Sequence, residues 1–168
     1  MFLENPTKEF GWKEISGKLK LGPPSAKRYM DELKKEGVIM ERKFGARIFY
    51  RANRDSRKFR FFMVFDMAMR IEGCGLIEHL NKTYGYPTII LFGSYSTGEA
   101  VEGSDIDIAV ITESDKEVDL GDYRKELKKE VQLFKFKSQE IKNMRKTNTS
   151  LFNGLINGFV LTGRLDVE

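Results

Sequence analysis

Apolar positions near the start of the chain recur at helical spacing. Phe10, Trp12, Ile15 and Leu19 outline one stripe, and Ala26, Tyr29, Met30 and Leu33 outline the buried face of a second helix. Between them, Leu21-Gly22-Pro23-Pro24-Ser25 is a turn that sets proline and a capping hydroxyl at the start of the second helix, and Gly37 stops it. The pattern then changes to that of strands: Val38 to Lys43 and Arg47 to Arg51 predict a hairpin turning at Phe44-Gly45-Ala46. From Phe59 to Arg70 the chain is apolar almost all round a helix, until Gly73-Cys74-Gly75 breaks it. Leu76, Ile77 and Leu80 resume a short helix ending near Tyr84-Gly85. An apolar run, Thr88 to Phe92, predicts a buried strand leading through Gly93-Ser94 into a helix, and Asp105 to Ile111 alternates as a second strand. An amphipathic helix over Tyr123 to Lys129 and a strand over Val131 to Phe136 follow.

Length and composition narrow the choices. The chain of 168 residues is one ordinary domain or two small ones, and 40% hydrophobic with 32% charged residues excludes disorder as the main state. A single cysteine, Cys74, excludes an intrachain disulfide and a multi-cysteine zinc cluster; a single histidine, His79, excludes a site with two imidazoles and is expected at a solvated position. The first residues lack a basic stretch followed by a long apolar one. The apolar run from Phe61 to Met69 is interrupted by Asp66 and too short to span a bilayer, so the expected location is the cytoplasm, away from membranes.

Charge is divided unevenly. Residues 1–60 hold 16 Lys and Arg against 8 Asp and Glu, whereas residues 61–168 hold 13 against 17. A basic first half suits a polyanion, and an acidic second half suits metal ions or a basic partner.

The order helix, turn, helix, hairpin over Phe10 to Arg51 resembles the winged helix-turn-helix family, although Met1 to Glu9, interrupted by Pro6, leave little room for that family's first helix. The resemblance implies DNA binding. Ser25, Lys27 and Arg28 would stand at the exposed start of the helix that enters the major groove, with Lys43 and Arg47 on the wing. A winged helix used for dimer or protein contacts is the alternative. The polar, basic stretch Arg51 to Lys58 carries the expected boundary. Beyond it, the apolar helix is either a dimer seam or simple core packing.

The chemistry concentrates around Gly93 and Asp105. Glycine at 93 lets backbone approach a phosphate, and the hydroxyl and amide of Ser94 can donate to one. Asp105 and Asp107 lie two residues apart on one strand, so both face the same side, and two carboxylates so placed call for a divalent cation such as Mg²⁺. This Gly-Ser, ten residues, Asp-Ile-Asp spacing within a strand, helix, strand frame resembles the nucleotidyltransferase superfamily that includes DNA polymerase beta, above all its minimal members, over about residues 85–160.

The resemblance implies an α+β chain: an N-terminal winged helix-turn-helix (1–56), joining helices (57–84) and a small mixed-sheet α/β nucleotidyltransferase domain (85–168). It implies Mg²⁺-dependent transfer from a nucleoside triphosphate, ATP foremost, to an acceptor hydroxyl with loss of pyrophosphate. Gly93 and Ser94 would bind nucleotide, and Asp105 and Asp107 would hold two Mg²⁺ ions. Minimal members often accompany a small helical toxin and silence it by transferring AMP to a tyrosine, so such a protein is an expected partner, as is a second copy of the chain in a homodimer. The tail from Leu151 to Leu161 resembles the family's closing helix and short strand.

Two positions depart from the family pattern. Gln132 occupies the place of the third carboxylate, with Glu130, two residues earlier, as either a replacement on the same strand face or a surface charge at a helix end. Thr97 stands where many minimal members carry arginine. These departures leave a second reading open, a DNA-binding regulator whose transferase domain is catalytically degenerate and senses nucleotide, and a third, an acidic domain that covers a basic protein.

Overall fold

The computed structural model describes residues 1–166. It divides into two compact units, Met1–Met63 with Ala100–Glu102, and Val64–Glu99 with the chain from Gly103 onward. Helices and sheets occur in both, so the α+β class holds. Among the described residues no helix is long and apolar enough to cross a membrane.

The first unit orders β1 (Phe10–Gly11), α1 (Trp12–Leu19), α2 (Pro23–Lys35), β2 (Ile39–Phe44) and β3 (Arg47–Ala52). Its sheet runs β1-β3-β2, antiparallel throughout, with Phe10 opposite Tyr50. Phe10 thus belongs to a strand, not to the α1 stripe that its spacing predicts. Pairing with β3 buries its ring completely, 5.2 Å from that of Phe2. Prolines at the first two positions of α2, after an extended Gly22, set its start as expected, but the expected capping hydroxyl is absent: Gly22 is the N-cap, without a side-chain cap, and Ser25 is the helix's third residue. Ala26 and Met30 are buried, but Tyr29 is 44% exposed with the Arg28 guanidinium over its ring, so the buried stripe of α2 is narrower than its apolar residues suggest.

Helix α3 (Arg57–Gly73) is one continuous element. Its hydrophobic residues divide between two faces: Phe59, Met63, Met67 and Ile71 are buried, whereas Phe61, Phe62, Phe65 and Met69 are exposed. Core packing within the chain therefore accounts for one side of the helix. Near-continuous hydrophobicity hides this division from a periodicity argument.

The second unit continues with α4 (Leu76–Tyr84), β4 (Thr88–Phe92), α5 (Gly93–Thr97), β5 (Ile106–Ile111), α6 (Gly121–Leu127), β6 (Val131–Phe136), α7 (Ser138–Thr147), α8 (Thr149–Ile156) and β7 (Phe159–Thr162). The sheet is mixed, ordered β6-β5-β4-β7, with β5 and β6 parallel and the other neighbours antiparallel. Its central strands are covered on both faces, as their unbroken apolar runs require: Ile89, Ile90, Leu91, Ile108, Ala109 and Val110 are all fully buried. On one face, Ile90, Phe92 and Ala109 pack with Ile141 and Met144 of α7 and with Phe152 and Leu155 of α8. Helix α7 is absent from the sequence expectations, because Ile141 and Met144 are its only buried residues. His79, expected in solvent, is half-buried; its ring lies 5.4 Å from that of Tyr123, and its Nε2 has no hydrogen-bond partner among the described residues.

Candidate active site

The site is built at one end of the two central strands. Antiparallel pairing sets Phe92, the last residue of β4, opposite Asp107 of β5. Parallel pairing sets Asp107 beside Gln132 of β6. Side chains on paired residues share a face, so Phe92, Asp107 and Gln132 form a row across three strands on the face covered by α7 and α8. Asp105 directly precedes β5 and extends the row beyond the sheet.

The turn after β4 explains its own glycine. Gly93 has φ +68°, a left-handed conformation, and a Cβ there would stand 2.2 Å from Asp107 Oδ2. The carboxylate therefore occupies the space a side chain at 93 would take. Glycine is required twice, for the backbone angle and for the approach of Asp107 to the turn. Ser94 follows as the second residue of α5, half-buried, with its carbonyl accepting from the Glu99 amide at 2.9 Å.

Partial burial, and secondarily the neighbouring Asp105, push the Asp107 carboxyl above the usual carboxylate range. An acid destabilised in this way is a group that a cation would relieve. The pair fits one hard divalent ion, which accepts carboxylate oxygens and leaves positions for other ligands. A third carboxylate does not join it: among the described residues no three His, Cys, Asp or Glu side chains come together to hold a metal. The Gln132 Nε2 instead donates to Asp105 Oδ2 at 2.6 Å.

Glu130 lies one residue outside β6. Its side chain is 69% exposed and pairs with Arg124 at 3.4 Å, while its carbonyl accepts from the Ile106 amide at 2.8 Å. Asp105, Gln132 and Glu130, together with Arg124, Glu117 and Asp119, line a cleft of about 460 Å³. The volume is within the range of small-molecule sites. Gly93, Ser94 and Asp107 do not line it. The sequence reading singled out Gln132 but missed its place beside Asp107 and its bond to Asp105; parallel register plus side-chain parity was the signal that could have found them.

In the first unit, the five DNA-contact candidates are all exposed. Lys27 of α2 and Arg47 of β3 line one groove of about 670 Å³ with Lys13, Trp12, Ile48 and Phe49. Arg28 lies 3.9 Å from Glu32, Lys43 lies 3.9 Å from Glu41, and Ser25 is the third residue of α2.

A left-handed glycine turn thus packs against Asp107 of β5, with Asp105 directly before the same strand. Residues 74–149 match the family model of the nucleotidyltransferase domain, which supports placing this region in the nucleotidyltransferase superfamily and its chemistry as generic nucleotidyl transfer. No curated protein and no solved structure matches the chain.

Proposed function

We propose that the chain is a nucleotidyltransferase that moves a nucleoside monophosphate from a triphosphate, ATP foremost, to an acceptor hydroxyl and releases pyrophosphate. The observation that carries the reading is the Asp107 carboxylate seated in the space above Gly93, with Asp105 two residues away on the same face. Asp105 and Asp107 would hold Mg²⁺, which supplies positive charge against the triphosphate. In this reading the Gly93 turn and the Ser94 hydroxyl and amide are the groups that would bind a phosphate of the nucleotide. The acceptor is proposed to be a protein tyrosine on a small helical toxin-like partner. The first unit, with two helices and an antiparallel hairpin, supports a winged helix-turn-helix that binds DNA through Ser25, Lys27, Arg28, Lys43 and Arg47.

One observation favours a second reading. Gln132 brings a neutral amide, not a third carboxylate, to Asp105, as expected of a DNA-binding regulator whose domain binds nucleotide without turnover. Calorimetry of the full chain with ATP and Mg²⁺, wild type against an Asp105→Asn, Asp107→Asn variant, tests the site. Cation-dependent binding lost in the variant supports it, and absence of binding in both sinks it. Transfer of label from α-phosphate-labelled ATP to an added acceptor then separates the enzyme from the nucleotide-sensing regulator.

A further inference from the structure

Strand β6 is the outermost of its sheet: the order β6-β5-β4-β7 gives it β5 on one side and, among the described residues, no strand on the other. The carbonyls of Glu130 and Phe136 accept from the Ile106 and Thr112 amides, so the even-numbered residues of β6 turn their backbone groups toward β5. The odd-numbered residues Val131, Leu133 and Lys135 turn theirs outward. The Arg124 guanidinium takes one of these groups, donating to the Val131 carbonyl at 3.1 Å. The outward amides and carbonyls of Leu133 and Lys135 have no strand partner.

Such a row of backbone groups is a template for another strand. Here it borders the cleft beside Asp105. Residues 131–135 all line that cleft, with residues 117–120 and Arg124, and none of the lining residues belongs to β5, α7 or α8. Consecutive strand residues point to opposite faces, so five in a row share a cleft only along an edge. At about 3.3 Å per residue the edge has room for a segment of about five extended residues. Charge narrows the choice of segment. Both cations lining the cleft are already paired within it, Arg124 with Glu130 at 3.4 Å and Lys135 with Glu117 at 2.7 Å. Asp119 and Asp105 hydrogen-bond to neutral groups, the Gly121 amide and the Gln132 side chain, and Lys125 near Asp119 is paired with Asp122 at 3.0 Å. The transferase reading gives Asp105 to a cation, which leaves Asp119 as the acid that a segment would meet.

We infer that the outer edge of β6 docks an extended, basic peptide segment of the acceptor protein, which adds to the sheet as a further strand. Main-chain hydrogen bonds to Leu133 and Lys135 hold it, and Asp119 selects a lysine or arginine on it. A hydroxyl-bearing residue at the Gln132 end then stands beside Asp105, to which Gln132 is bonded. The role of the segment as acceptor rests on the transferase reading; its docking does not.

Fluorescence anisotropy of the full chain with a labelled peptide of alternating valine and arginine, in the absence of nucleotide, tests it. Wild type is expected to bind this peptide at least about tenfold more tightly than the same peptide with glutamate for arginine. An added strand uses every second amide, so N-methylating one alternate set of peptide amides is expected to abolish binding, and methylating the other set to leave it. Leu133→Pro removes an outward N–H and none of the bonds to β5, and is expected to lose the peptide while keeping Mg²⁺-dependent nucleotide binding. Asp119→Asn keeps the oxygen that accepts from Gly121 and is expected to weaken the arginine peptide about fivefold. Absence of peptide binding, or equal binding of the two N-methylated peptides or of the arginine and glutamate peptides, overturns the inference. A chain that sediments as a dimer until Leu133→Pro is introduced also overturns it, by giving the edge to a second copy. Peptide binding by a chain that binds no nucleotide sinks the transferase reading and upholds the docking edge.

Discussion

The two candidate surfaces of this chain are built on opposite principles. In the second unit, Asp105 and Asp107 are fixed by a sheet whose central strands are buried on both faces, and the turn at Gly93 is shaped around one carboxylate oxygen. In the first unit, the five polar and basic candidates project from a helix and a hairpin into solvent, and two of them, Arg28 and Lys43, rest on loose ion pairs of 3.9 Å. A site of the first kind depends on position, so single atoms matter. A surface of the second kind depends on summed charge, so each residue contributes a share. The contrast predicts how each will fail under mutation.

The largest effect should come from the carboxylates. Replacing both Asp105 and Asp107 with Asn removes the charge that attracts a hard cation, and Mg²⁺-dependent nucleotide binding by the full chain is expected to fall by at least about two orders of magnitude in calorimetry. Replacing Gln132 with Ala is expected to leave cation-dependent binding in place, because its amide contributes a hydrogen bond to Asp105 and no charge. Equal losses in the two experiments would erase the distinction between a position-dependent site and a merely acidic patch.

The basic surface should respond in the graded manner. Removing Lys27 and Arg28 together is expected to weaken DNA binding similarly across sequences and to lower the slope of log affinity against log salt by about one for each phosphate that is no longer neutralised. Fluorescence anisotropy at several salt concentrations measures this. A salt slope that stays constant would mean that α2 does not face the phosphates, and the first unit would then be a protein-binding module.

Much of both regions was legible in the chain because it rests on local signals. The turn glycines, the prolines that start α2, the period-2 hairpin and the apolar β4 and β5 each follow from neighbours within a few residues. What escaped depended on distant partners. Phe10 sits at helical spacing from Ile15, yet pairing with Tyr50 makes it a strand residue. The hydrophobicity of α3 gave no hint of two faces, because which side is covered is decided by elements elsewhere in sequence. Within the site, the residue types were visible and the contacts were not: Gln132 read as a missing acid, and only the parallel register of β5 and β6 shows it holding Asp105.

Gly93 sharpens the comparison at the level of one methyl group. Alanine there must hold φ near +68°, which costs an L-residue about 1–2 kcal/mol, and its Cβ must displace Asp107 Oδ2 from 2.2 Å. Gly93→Ala is expected to lower thermal stability by a few degrees and to impair cation-dependent nucleotide binding in the same protein. Glycine at 45, the hairpin tip, also has a positive φ of +58° but nothing within 4 Å of its would-be Cβ. Gly45→Ala should therefore share the stability loss and leave nucleotide binding intact. If both variants bind nucleotide normally, the close packing of Asp107 against the turn has no part in function.

The smallest effect concerns what the site costs the fold. Folding raises the Asp107 pKa, chiefly by burial and then by Asp105, so the folded chain holds this proton more tightly than the unfolded chain does. Stability from this group is full below its unfolded pKa and is lost as pH rises through its higher folded value. At neutral pH the ionised carboxylate is thus a net burden on the fold when no cation is bound. Asp107→Asn keeps the shape and removes that burden, so the variant is expected to melt slightly higher than wild type at pH 7 without Mg²⁺, and the gap should close at acid pH where Asp107 is protonated. Mg²⁺ should raise the melting temperature of wild type and not that of the variant. No surface cation of the first unit should behave this way, since removing Lys27 relieves no buried charge. A variant that is less stable than wild type at neutral pH would show that Asp107 is retained for packing, and that its place beside the turn is structural.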